Sequence, residues 1–141
     1  MHLNTNLDPH DKSTCILTYE EDEQWLVATW SGYVDMAEAL RGAEAYLRYA
    51  AHMPCTLLLN DNTQLQGPWF DGLGWLARVW VPQAARLGLR YVAHVVPTDR
   101  HFDVLPARLP LPVPFELQIF QTIAEARHWL HQCRAAHLAQ L

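Results

Sequence analysis

Short apolar runs rich in β-branched and aromatic residues alternate along this chain with segments whose apolar residues recur every three or four positions. No other feature restricts the fold as much. The runs are "CILTYE" (15–20), "WLVATW" (25–30), "CTLLLN" (55–60), "YVAHVV" (91–96) and "FELQIF" (115–120). Runs of that length and composition predict strands, and the longer periodic segments predict helices. The first two runs are separated only by the acidic "EDEQ", which reads as a hairpin turn. In "WLVATW" both alternating sets are partly apolar, as in a strand covered on both faces. Strands that alternate with helices require crossovers and therefore a largely parallel sheet. The expectation is an α/β fold with one mixed, mostly parallel sheet of about five strands and about three helices, in the order ββαβαββα.

The helices can be placed by their stripes. Met36, Leu40, Ala43 and Leu47 recur at helical spacing, Asp35 with Glu38 resembles a capping box, and Pro54 ends the segment. A second helix is expected from near Asp71, with Leu73, Leu76, Ala77, Trp80, Ala84 and Leu87 on one side and Gly88 as its stop. Pro82 lies inside that stripe without breaking its phase, which predicts a kinked helix with the Arg78 carbonyl left to water. The last helix opens with Thr122 and Glu125 as a capping box and carries Ile123, Ala126, Leu130 and Cys133. Residues 1–14 are polar and aperiodic and read as a flexible N-terminal arm, leaving 15–141 as a single domain. The proline-rich 97–114 stretch is too long for a tight turn and reads as a lid, an interface element or simply a mobile loop.

Charge narrows the function classes. A net charge of −5, with only ten scattered Lys and Arg, argues against nucleic acid and against anionic membrane surfaces. No apolar stretch approaches the ~20 residues of a membrane span, so no membrane insertion is expected. The N-terminus lacks a basic region followed by an apolar run, and the expected location is the cytoplasm. Cys15, Cys55 and Cys133 are too far apart for a zinc knuckle or a disulfide framework and read as buried apolar residues.

The stretches "WSGYVDMAEALRGAEAYL", "LLLND", "WLARVWVPQAARLGLRYVAHVV" and "EARHWL" together resemble the STAS fold of anti-sigma factor antagonists, and more closely the SpoIIAA-like, STAS/CRAL-TRIO-like bacterial proteins. The resemblance spans roughly residues 15–131. It implies an interaction domain, and through the lipid carriers of that group it also implies a possible apolar cargo. In the antagonists a serine that follows an aspartate at the start of a helix accepts phosphate. Here Asp71 matches the aspartate, but Gly72 stands at the serine's place, so that switch cannot operate there.

Candidate site residues fall into two groups. Asn60, Asp61 and Asn62 follow a buried strand, where open α/β sheets bind ligands and where Asx residues also build turns. Trp30 and Tyr33 at the first strand-to-helix crossing, with Trp69, Phe70, Asp71 and Trp75 at the second, could form an aromatic mouth or an association patch. His94 reads as a hydrogen-bonded core histidine and His101 as a loop residue between Asp99 and Asp103. His128 and His131, three apart on a solvated helix face with no acidic partner evident, read as ordinary surface residues rather than metal ligands. There is no nucleophile elbow, phosphate loop or dinucleotide fingerprint, so no cofactor, no metal and no catalytic residue is expected. The chain is expected to be a non-enzymatic binding or interaction module, a homodimer or the partner of another protein. One alternative is a carrier of a small apolar ligand or lipid beneath the second helix and the 97–114 loop. The other is an enzyme using Asp61, His94 or His101.

Overall fold

The computed structural model describes residues 1–7, 12–66, 76–96 and 114–139. The strands are β1 (His2–Leu7), β2 (Thr14–Glu20), β3 (Trp25–Tyr33), β4 (Leu57–Gln66), β5 (Tyr91–Val95) and β6 (Glu116–Phe120). The helices are α1 (Met36–His52), α2 (Val81–Arg86, preceded by one π-helical turn, Leu76–Trp80) and α3 (Ile123–Ala139). All six strands join one sheet in their sequence order. β1, β2 and β3 pair antiparallel, and β3 to β6 pair parallel. The α/β class and the mixed sheet therefore match the expectation. Among the described residues the strand count is six rather than about five, and the order is βββαβαββα.

The additional strand is a correction to the N-terminal arm. His2–Leu7 pairs with β2 from His2↔Thr18 to Leu7↔Thr14. Its polar sequence hides this, because an edge strand needs backbone partners on one side only and few apolar side chains.

The helix boundaries follow local chemistry. Asp35 accepts from the Glu38 amide at 2.9 Å, so it caps α1. The Glu38 carboxylate, however, takes the Ser13 hydroxyl, so the cap is one-sided rather than a capping box. At α3 Thr122 Oγ1 likewise accepts from the Glu125 amide at 3.2 Å, but Glu125 Oε1 accepts from the Thr122 hydroxyl at 2.8 Å rather than from the backbone amide that a capping box would use. At Pro82 the structure answers the missing amide with the π turn that ends at Trp80, and the chain then continues as α2. Gly88, at φ +110°, closes α2 with Gly88 N–H to Ala85 C=O at 3.1 Å and Leu89 N–H to Ala84 C=O at 3.0 Å.

Strand alternation gives each face of the sheet its own helices. Leu26, Ala28 and Trp30 with Leu58, Val92 and Leu117 face α1 and α2. Trp25, Val27, Leu57, Leu59, Ala93 and Val95 face α3. α3 buries the Ala126–Leu130–Cys133 stripe expected of it. On α1 the buried residues include Ala39, Ala45, Tyr46 and Ala50, whereas Leu40 and Leu47 are only half-buried. The contact face is thus rotated by about one position from the expected stripe. Small side chains let α1 approach the sheet closely, and the larger leucines are displaced to the margin.

Candidate functional site

Three extended strands bring a row of polar side chains onto the α1/α2 face. Asn60, Asp61 and Asn62 do not form a turn beyond the strand. They lie inside β4, with Asn60 opposite His94 and Asp61 opposite Val95. Trp30 Nε1–H donates to Asn60 Oδ1 at 2.8 Å. An indole N–H can only donate, so the oxygen end of Asn60 is fixed and its amide nitrogen faces His94 Nδ1 at 2.8 Å. Nδ1 therefore accepts, and the proton of the neutral imidazole sits on Nε2. The Asn62 amide lies 3.1 Å from Nε2 through its Nδ2, while its Oδ1 is buried without a partner among the described residues. A donor opposing a donor is resolved when Asn62 turns its oxygen to Nε2–H, which gives Oδ1 its partner. The result is a polar rail, Trp30–Asn60–His94–Asn62, running across β3, β4 and β5. Burial pushes the His94 pKa down to about 4, so the ring in the rail is neutral around neutral pH.

Beside the rail lies an apolar cavity of about 80 Å³. Its floor is the sheet, through Ala28, Leu58, Val92 and the rail residues Trp30, Asn60 and His94. Its roof is α1, and the room exists because α1 presents Ala39, Gly42 and Ala43 there. Gly42 is required by the indole beneath it. A Cβ at that position would stand 2.4 Å from Trp30 Cη2. The side wall is Trp80, at the end of the π turn, whose Nε1–H donates to the Ala43 carbonyl at 3.0 Å. Its ring packs on Tyr46 at 5.4 Å and edge-on to Phe115 at 6.4 Å. Among the described residues no Asp, Glu, Lys or Arg lines this space.

The sequence candidates separate accordingly. Trp30 and Asn60 line the cavity, and Trp30 is buried there rather than standing at a mouth. Asp61 alternates to the other face, where its Oδ1 accepts from the Thr63 amide at 3.0 Å and the Thr63 hydroxyl at 2.7 Å. It has no route to His94, so the two form no acid–base pair. Tyr33 is exposed at 55%. Trp69, Phe70, Asp71 and Trp75 lie outside the described residues, as do Gly72, His101 and the 97–113 stretch. His131 corrects an expectation, because it does have an acidic partner. Glu23, in the β2–β3 turn, pairs with it and with Arg127 at 3.3 Å. No cluster of three metal-ligating side chains occurs among the described residues. All three thiols are buried, and burial pushes Cys15 up to about 12 and Cys133 to about 11. No helix among the described residues is long and apolar enough to cross a membrane.

Gly42, Tyr46 and Trp80 were not among the sequence candidates. The spacing of Asn60 and Asn62 carried a signal, since residues two apart in a strand share a face and one of them faces a histidine in the next strand. No protein-family model matches the chain, and no curated protein matches it.

Proposed function

We propose that this chain is a non-enzymatic binding module whose binding element is the cavity between the sheet, α1 and Trp80, and that it takes a small, largely apolar ligand. The observation that carries the reading is an apolar-walled space beside a polar rail whose members hydrogen-bond one another. Binding sites of this kind are concave, mostly apolar, and supplied with a few placed polar groups. The room of about 80 Å³ is several times the ~10–15 Å³ that one water occupies, which suits a single ring or a short branched chain. The STAS-like resemblance is part of the same proposal, supported by the strands and helices that alternate from β3 to α3.

A fragment titration followed by ¹⁵N–¹H correlation spectra tests it. Small apolar rings are expected to shift the indole N–H signals of Trp30 and Trp80, and the cavity-filling Ala39→Phe change is expected to abolish the shifts. If rings at millimolar concentration leave both indoles unmoved in the unmodified protein, the binding reading is overturned.

A further inference from the structure

The rail consumes nearly every hydrogen-bonding group that reaches the cavity. Trp30 Nε1–H is spent on Asn60 Oδ1, and His94 Nδ1 is spent on Asn60 Nδ2. His94 Nε2 is directed to Asn62. Asn60 Nδ2 carries two hydrogens and only one of them is used by His94. The second has no partner among the described residues, although Asn60 forms part of the cavity wall. Apart from the Tyr46 hydroxyl, the polar complement of the cavity among the described residues is therefore a single amide donor. Because Trp30 holds the Asn60 oxygen, the amide cannot flip to offer an acceptor instead without stranding the indole.

From this donor balance we infer that the cavity selects an uncharged ligand of single-ring size that presents a hydrogen-bond acceptor, such as a carbonyl oxygen, to the second amide hydrogen of Asn60. The inference rests on the binding reading above and sharpens it. A carboxylate or an ammonium is rejected because no charged side chain lines the space among the described residues, and an ion brought there would lose its water without gaining a counterion. A hydrocarbon of the same shape is accommodated, but it leaves the Asn60 donor buried and unpaired. The rail also supplies preorganisation. Asn60 is clamped from both sides, so its free N–H needs no reorientation when the ligand arrives.

The test uses three probes matched in shape, cyclohexanone, methylenecyclohexane and cyclohexanecarboxylate, titrated into the full chain with the Trp30 and Trp80 indole signals as readout. Cyclohexanone is expected to bind about tenfold tighter than methylenecyclohexane, the ratio typical of one buried hydrogen bond, and the carboxylate is expected not to bind. If the alkene binds as tightly as the ketone, or the carboxylate binds, the inference falls while the cavity remains a binding site. If none of the three moves the indoles, the binding reading falls with it. Asn60→Asp keeps the oxygen that Trp30 needs and removes the donor, and it is expected to erase the ketone preference. A preference that survives this change overturns the assignment to Asn60. Should the variant not fold, the ketone-to-alkene ratio in the unmodified protein decides alone.

Discussion

On the α3 side of the sheet, Trp25, Leu57, Ala93 and Val95 meet Ala126 and Leu130, all at most 1% exposed. On the α1/α2 side the same strands meet Ala39, Gly42 and Ala43, and a cavity of about 80 Å³ remains beneath them. Alternation along a strand supplies apolar groups to both faces alike, so the strands do not decide which face is filled. The size of the helix residues does. Where α3 brings Leu130 and Cys133, with Trp129 at the margin, these side chains join the buried core. Where α1 brings small residues, a helix of the same length leaves room, and a polar rail can persist because each of its members has a partner. One face is filled and the other holds the cavity.

The sharpest way to break this contrast is a matched pair of deletions. Leu130→Ala removes a side chain that is fully enclosed on the α3 face. It is expected to cost about 4 kcal/mol in urea denaturation, near the upper end for buried leucines. Leu58→Ala makes the same chemical change at the cavity floor, where Leu58 already borders empty space. It is expected to cost about 2 kcal/mol, because fewer packed neighbours are lost. Equal losses would mean that the two faces are packed alike.

Next in size is the pH dependence that the rail imposes. The His94 pKa falls from 6.5 to about 4 on folding, because burial penalises the imidazolium. Between those values the unfolded chain binds a proton that the folded chain does not, so stability declines as pH falls from 6.5 towards 4. Integrated over that window the loss is roughly 3 kcal/mol. Denaturation midpoints measured across the range are expected to show it, and His94→Gln is expected to flatten the slope. A slope unchanged by that substitution would place the titrating group elsewhere and leave His94 no part in the contrast between the faces.

Gly42→Ala is expected to act more weakly, by about 2 kcal/mol. The new methyl meets the far edge of the Trp30 ring at 2.4 Å and the Cys15 sulfur at 3.0 Å, so the indole must shift and its bond to Asn60 must lengthen. The Trp30 indole N–H signal is expected to move with the loss of stability. Stability lost with that signal in place would separate the packing of α1 from the rail.

How far these faces could be seen in the sequence depends on what each relies upon. The α3 stripe was legible because Ala126, Leu130 and Cys133 recur at helical spacing among exposed polar neighbours. The α1 face was displaced by one position because alanine and glycine carry little hydrophobic signal, although they are the residues that let a helix approach a sheet. β1 escaped notice since "HLNTNL" earns its place through backbone pairing at an edge. Asn60 and Asp61 were singled out but placed in a turn, because polar residues after an apolar run resemble a strand end. Their extension becomes intelligible only when β3 and β5 are seen to flank them, with Trp30 and His94 supplying the partners for Asn60. Long-range pairing of that kind has no local signature.

The smallest expected effect concerns the charged rim of the α3 face. Glu23 pairs with Arg127 at 3.3 Å and Arg134 at 3.7 Å, and its partner His131 packs tilted against Trp25, ring centroids 5.1 Å apart. Arg127 also lies over Trp25, with its guanidinium carbon 5.2 Å from the ring centroid. The group resembles a clamp between the β2–β3 turn and α3, yet its members are 20–43% exposed, so water and salt screen most of the attraction. Glu23→Gln keeps the shape and removes the charge. It is expected to lower stability by no more than about 1 kcal/mol, and by less as ionic strength rises. A loss as large as that of Leu130→Ala, persisting in high salt, would mean that α3 is held by its ion pairs rather than by close packing. The two faces would then differ in the kind of interaction that holds them and no longer in how fully they are filled.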